Sequence, residues 1–464
     1  MSDEIHFDDR MSDADALMWN IEKDPALRST ITSVIVLDRA LPHDVLTRRF
    51  ERLSRVVPRL RQRVRSNTLS IAPPRWEIDP HFDLGFHLWW VRSPGKGTDH
   101  DLLSIAEPIA MSGFDRARPL WRAVIVEGLA GGQSAIVMKL HHAITDGVGG
   151  MKLQLELLDL DPDAPERDMP ERPAVHVMGQ RERFTDAARH EQRRQLGMLK
   201  RSAGGFLGGV VGAMSDPAGT VSSTSELASS VGRVLRPVSH PMSPLMTGRS
   251  LSCRFDTLTV PLDETKKAAR AGGGKLNDAF VAGVVRGLRI YHDRHGIDCD
   301  ELRMAIPISI RTPEMANTAG NAFVPARIEL PIDIEDPIEL MRSVRTHVQE
   351  ARLEPANELV DPLSNVLNRL PTTAVTALFG TMVKAVDFTT SNVPGAPFPV
   401  YLAGARMLRQ FPFGPLAGAA LNVTLLSYQN DLNIGVSMDP EAIPDTESLM
   451  DALRSGFAEI LAVA

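Results

Sequence analysis

Short β-branched runs alternate with stretches whose apolar residues fall three and four apart, and they do so along most of this 464-residue chain. That alternation restricts the fold to sheets packed against helices. Ser29–Leu37 (STITSVIVL) has the composition of a strand, and His43–Val57 after it has the spacing of an amphipathic helix stopped by Pro58. Trp121–Leu129 and Ser134–Leu140 read as strands joined by the turn signal Ala130-Gly131-Gly132, and Gly150–Leu160 reads as a helix ending near Pro162. The texture then changes. A charged, helix-prone run, RERFTDAARHEQRRQLGMLKR, leads into a Gly/Ser/Ala-rich stretch through Ser230 with the composition of a mobile linker. Regular patterning resumes with a strand in LSCRFDTLTVPL and a long helix in NDAFVAGVVRGLRIYHDRHG. Strands at LRMAIPISI and AFVPARIEL, helices near 336–352 and 362–384, strands at YLAGARML, GAALNVTLLSY and DLNIGVSM, and a helix from about Asp445 complete the series. A chain of this length exceeds one ordinary core. The expected class is therefore α/β (α+β), with domains at 1–165 and 251–464 and a partly helical crossover at 166–250.

Charge and cysteine usage narrow the function classes. A formal net charge of −7 argues against nucleic-acid binding, which needs a basic face. Two cysteines, Cys253 and Cys299, are too few for a disulfide framework or a four-cysteine zinc site, so a reducing compartment is expected. The opening MSDEIHFDDRMSDADALMW is acidic where a secretory signal would be basic and then apolar. No apolar run reaches the ~18 residues of a spanning helix. The nearest, Ser202–Ser215, is short and glycine-heavy, so the expected protein is cytoplasmic, soluble or peripherally attached to a membrane.

The chemistry is concentrated in KLHHAITDGVGG, residues 139–150. Successive side chains of a strand face opposite ways, so His141 and His142 cannot both address one small site, which disfavours a metal centre. A single histidine at a strand end, facing a cleft, suits a general base near neutral pH. Asp146 can pair with that imidazole, pin the loop through an arginine, or cap the following helix; Gly147, Gly149 and Gly150 allow close backbone approach. On the motif alone, the catalytic and the purely structural readings both stand.

These residues resemble the HHxxxDG signature of the CoA-dependent acyltransferase superfamily, which includes chloramphenicol acetyltransferase and peptide-synthetase condensation domains. Further blocks resemble the bacterial wax ester synthase/acyl-CoA:diacylglycerol acyltransferase family: MSDADALMWNIE, RPLWRAVIVEGLAGGQSAIVMKLHHAITDGV, KLNDAFVAGV, PISIRTP, AGNAFVPARIELP, TTSNVPGAPFPVYLAGARM and LNVTLLSYQNDLNIGVSMDPEAIPD. Two blocks depart from the family pattern: Thr247 replaces an asparagine in HPMSPLMTGRS, and FPFGP replaces a form closer to YPVGP, with the acyl channel as the place where the second would be felt.

The resemblance implies two chloramphenicol-acetyltransferase-like domains, with mixed sheets flanked by helices and a tunnel between them. It implies that His142 is the general base, that His141 supports the loop, and that Asp146 is structural and pairs with an arginine, for which Arg311 is the candidate. Asn277 and Asp278 are candidates for the oxyanion or the tunnel, with helix capping as the alternative for Asn277. Ser391 and Asn392 resemble a strand end lining the CoA path, with a turn as the alternative. Pro119-Leu120-Trp121 and His87 read as packing residues. The implied activity is direct transfer of a long-chain acyl group from acyl-CoA to diacylglycerol or a fatty alcohol, with no acyl-enzyme, no metal and no cofactor. Alternatives are a carrier-bound acyl donor or polyketide-type alcohol on the same fold, and a silent lipid-binding homologue. A membrane or lipid-droplet surface is the expected partner, contacted through Gly204–Met214 or Ala374–Val383.

Overall fold

Twelve strands of the computed structural model build two six-stranded sheets. Residues 6–66, 72–144, 147–196, 238, 240–309, 318–319, 323–354, 367–368 and 372–464 are described. The first half supplies β1 (Thr30–Leu37), β2 (Leu88–Arg92), β3 (Trp121–Glu127) and β4 (Ser134–His141). The second supplies β5 (Arg254–Pro261), β6 (Glu301–Ser309), β7 (Phe323–Pro331), β8 (Phe388–Val393), β9 (Tyr401–Leu402), β10 (Ala405–Phe413), β11 (Leu421–Tyr428) and β12 (Asp431–Met438). The first sheet runs β9-β10-β1-β4-β3-β2 and the second β7-β6-β8-β11-β12-β5. Both are mixed: β2 and β3 are parallel, and β8 runs parallel to β6 and β11.

Chain order and sheet membership part company at β10. This strand pairs antiparallel with β1, from Met407 opposite Leu37 to Phe413 opposite Thr32, with a bulge between Met407 and Arg409. Residues 251–464 therefore contribute to both sheets. The expected single strand at YLAGARML is instead a hairpin, because Ala403 and Gly404 both adopt positive φ and reverse the chain between β9 and β10.

Nine helices of the described residues are used below: α1 (Asp13–Ile21), α2 (His43–Val56), α3 (Asp99–Met111), α4 (Gly147–Leu157), α5 (Leu262–Ala271), α6 (Leu276–Arg294), α7 (Pro337–Arg352), α8 (Thr372–Lys384) and α9 (Thr446–Leu461). Amphipathic spacing explains α2, where Leu46, Phe50 and Leu53 are buried on one face. In the crossover the arginine-rich run is helical over 180–196, while Gly204–Met214 lies outside the described residues. The returning chain is clamped to the second sheet: Asp387 accepts the amides of Met242 (3.2 Å), Ser243 (3.0 Å) and Arg303 (2.7 Å). Thr247 is exposed beyond that clamp.

The cores follow the sheets rather than the halves. Phe50, Trp121, Ile136, Leu140 and Ile144 pack with Leu402, Met407, Leu426 and Tyr428 of the second half. Phe280, Val284, Val423, Ile434, Leu453 and Phe457 form the other main core. His87 is fully buried, stacked between Phe82 (5.3 Å) and Trp121 (4.7 Å), and burial pushes its pKa down to about 4. Trp121 donates its indole N–H to Leu60 O at 2.7 Å, so Leu120-Trp121 packs as expected. Phe413 of the departing FPFGP block stacks on Phe255 at 4.0 Å, in a packed core rather than a channel.

The sheets approach closely at Gly435, where a Cβ would stand 2.0 Å from the Pro412 carbonyl oxygen. One strand must therefore move to admit a methyl group. Gly435→Ala is expected to lower the unfolding free energy by about 1–3 kcal/mol. Denaturant unfolding measures this, and an unchanged midpoint would show that β10 and β12 are free to separate.

Candidate active site

Alternation along β4 places Lys139 and His141 on one face, and the chain then enters a tight turn over His142–Ile144. His141 is 1% exposed. Its Nδ1 accepts the Ala143 amide at 3.0 Å, so Nε2 carries the proton, and Nε2 lies 3.0 Å from Glu22 Oε1. Trp19 meets its ring edge-on at 5.6 Å, and Phe114 is tilted against it at 6.3 Å. His142 is half-buried, and its amide donates to Ser29 O at 2.8 Å. The two neighbouring imidazoles thus have different surroundings.

Glu22, just beyond α1, was not legible as a site residue. Its Oε1 also accepts the Ser29 amide at 2.6 Å, and Arg116 lies 3.7 Å from Oε2 and over the Trp19 ring. Burial alone would raise its pKa. His141, the Ser29 amide and Arg116 outweigh that and hold the carboxyl below its ordinary value.

Lys139 was also missed, although a lysine inside the apolar run SAIVMKL was a visible signal. It is 1% exposed, donates to Ser112 O and to Ser112 Oγ (2.9 Å), and lies over the Phe114 ring at 4.5 Å. Burial, then Arg122 and Arg28, push its pKa down to about 7.

The other expected site residues divide. Asp146 and Arg311 lie outside the described residues, and Gly147 opens α4. Asn277 is the second residue of α6, so it is not the cap; Lys275 holds that position, and Asp278, in the helix's first turn, accepts the Lys275 amide at 2.7 Å. The Asn277 amide nitrogen is buried and meets no acceptor among the described residues. Both residues adjoin the Phe280 core. Ser391 and Asn392 lie on β8, opposite Thr424 and Leu425 of β11, and are strand rather than turn. Val393 after them packs against the core that also contains Ala143 and Ile144.

Among the described residues no group of three His, Cys, Asp or Glu side chains could hold a metal ion. Burial pushes the Cys253 thiol up to about 12 and Cys299 to about 11, so neither is a thiolate at neutral pH. A cavity of about 490 Å³ opens between the loop after α1 and α8, with Lys23, Asp24, Thr376, Gly380 and Lys384 in its lining. The same helix buries Val375 with Leu17, Ile21 and Leu27, so part of Ala374–Val383 is a packed helix face. No helix among the described residues is long and apolar enough to cross a membrane.

Two family models match the chain: the wax ester synthase/diacylglycerol acyltransferase catalytic domain over residues 11–280 and the WS/DGAT C-terminal domain over 319–461. A Mycobacterium tuberculosis protein provisionally named a diacylglycerol O-acyltransferase is 37% identical over 456 residues, covering 98% of this chain and 92% of its own. Among solved structures, the wax ester synthase/diacylglycerol acyltransferase from Marinobacter aquaeolei VT8 superposes with a TM-score of 0.63 at 22% identity, covering 97% of this chain and 98% of that one. The first condensation domain of the CDA synthetase superposes at 0.62 with 16% identity, covering 98% and 95%. These two share the fold.

The buried lysine makes a pH-dependent contribution with a defined sign. Its native pKa near 7 lies below the ~10.4 of a free lysine, so between those values the unfolded chain keeps a proton that the native chain has released. Stability from this residue therefore rises with pH across that window. Comparing wild type with Lys139→Met by urea unfolding at pH 7 and pH 9.5, the difference is expected to move in favour of wild type by up to about 3 kcal/mol. A difference independent of pH would mean that the buried ammonium keeps its proton throughout.

Proposed function

Because the chain belongs to the wax ester synthase/diacylglycerol acyltransferase family, we propose that this acyltransferase moves a long-chain acyl group from acyl-CoA to the hydroxyl of diacylglycerol, of a fatty alcohol, or of both. The observation that carries the reading is the division of labour between the two histidines. His141 is buried and committed to Glu22 and Ala143, whereas His142 is half-buried on a turn whose backbone is fixed.

In the proposed reaction the acceptor hydroxyl gives its proton to the His142 imidazole as its oxygen attacks the thioester carbonyl carbon. The tetrahedral intermediate collapses with cleavage of the C–S bond, and the departing CoA sulfur takes the proton back from the imidazolium. The ester and free CoA are the products, and no group on the protein is acylated. The suppressed acidity of both cysteines fits direct transfer. Asn277, with a buried amide N–H to give, is assigned to a polar contact with substrate or intermediate. Ser391 and Asn392 are assigned to the path of the CoA arm, and Asp146 with Arg311 to an ion pair that ties the motif loop to the second half.

Purified protein supplied with palmitoyl-CoA, diacylglycerol and hexadecanol should form triacylglycerol, wax ester or both, identified by mass spectrometry. His142→Ala should lose about 10²–10⁴-fold in turnover with the fold intact. Wild-type turnover in that variant would remove the general-base assignment.

Amphipathic substrates and an apolar product also call for work at a lipid surface, so we expect reversible peripheral association. Flotation with liposomes containing neutral lipid should carry the protein upward, with little dependence on anionic lipid given its net charge of −7. Protein that stays at the bottom at every lipid load points to a water-soluble acceptor.

A further inference from the structure

Glu22 Oε1 lies 3.0 Å from His141 Nε2, at ion-pair distance, and accepts the Ser29 amide at 2.6 Å. Each of these two residues then holds one amide of the histidine turn. His141 Nδ1 accepts the Ala143 amide at 3.0 Å, and Ser29 O accepts the His142 amide at 2.8 Å. One carboxylate oxygen therefore stands behind both hydrogen bonds that fix the backbone from which the His142 side chain leaves. We infer that Glu22 is a positioning residue for acyl transfer: it fixes the tautomer of His141 and, through His141 and Ser29, the setting of His142. This rests on the reading of His142 as the base.

The tautomer makes the arrangement selective. With the proton on Nε2, Nδ1 is free to accept from Ala143. Without Glu22, the Nε2–H loses the carboxylate beside it in a site that is 1% exposed, where a buried donor with no polar neighbour is costly. Moving the proton to Nδ1 relieves that cost only by setting two N–H groups against each other at Ala143. The disturbance thus passes into the turn instead of staying at position 22. Arg116 beside Oε2 and over Trp19 keeps the carboxylate oriented, and the carboxyl stays ionised in spite of its burial.

The test uses the full chain and four variants: Glu22→Met, which keeps volume and removes the acceptor; Glu22→Gln, which can keep Oε1 in place; His141→Ala; and the Met/Ala double. Glu22→Met is expected to lower kcat by about 10- to 100-fold, a typical effect of losing the partner that orients a functional histidine, with both KM values within about threefold. Glu22→Gln should recover most of that loss. Because Glu22 acts largely through His141, the double variant should fall no more than about threefold below the poorer single one. If Glu22→Met does not fold, Glu22→Asp, which withdraws the acceptor by one methylene, takes its place in the same cycle. Wild-type kcat in Glu22→Met, losses that multiply in the double, or no recovery in Glu22→Gln would each overturn the proposal. His142→Ala, assayed alongside, separates the two levels. If it is inactive while the other losses multiply, only the positioning role fails; if it is active, the base reading fails.

Discussion

Pairing between β10 and β1 is the contact on which the rest of the arrangement depends. It carries a strand from late in the chain into the sheet that ends at the histidine turn, so the two halves share a core. Leu402, Met407, Leu426 and Tyr428 pack with Trp121, Leu140 and Ile144, and the Tyr428 hydroxyl donates to Met407 O at 2.8 Å. Gly435 lets β12 lie against Pro412 of β10, where any side chain would hold the sheets apart. Further ties run between the halves. Glu107 of α3 accepts the Phe255 amide at 2.9 Å, and Lys384 of α8 meets Asp24 at 3.0 Å. The turn at the end of β4 is therefore packed from both halves.

Buried ionisable groups cluster around that same face of β4. Glu22, His141 and Lys139 are all nearly inaccessible, and each has a specific partner, as a polar group out of water must. Arg116 and Phe114 complete the shell from the segment after α3. Such a cluster adds little to stability, because desolvation offsets attraction. Its effect is geometric: each partner removes one way in which the histidine turn could relax.

Most of the repeating structure was legible in the sequence because period and punctuation agreed. β1, α2, β4, α6 and β12 fall within a residue or two of their apolar patterns. The elements that escaped have weaker patterns: α3 opens on Asp-His-Asp and contains Pro108, and β2 is a five-residue parallel edge strand. The crossing of β10 was not legible, since strand patterning says which face is apolar but not which sheet is joined. At the site, the adjacent histidines, their strand end and the packing roles of His87 and Trp121 could be read from residue types. Glu22 could not, because nothing in MWNIEKDP marks one carboxylate as the acceptor for a histidine more than a hundred residues later. Nor could the sequence show that the Asp278 carboxylate reaches back to the Lys275 amide while the Asn277 amide nitrogen meets no acceptor among the described residues.

Which atoms are already committed decides chemistry more reliably than which residues are near one another. Ser243, His292 and Asp387 have the composition of a nucleophilic triad, and Ser243 Oγ lies 2.8 Å from His292 Nε2. His292 Nδ1 is bonded to Leu288 O, so Nε2 is the acceptor and the serine hydroxyl does donate to it. The serine oxygen, however, already accepts the amides of Leu245 (3.2 Å) and Met246 (3.0 Å). Asp387 serves three backbone amides rather than orienting the imidazole, and burial raises its pKa. With all three residues at 1% exposure or less, no substrate reaches the hydroxyl, and the cluster is a clasp for the returning chain. At the histidine turn the commitments are of the backbone: the Ala143 amide donates to His141 Nδ1 and the His142 amide to Ser29 O, so the chain from which the His142 side chain leaves is fixed at a half-buried position.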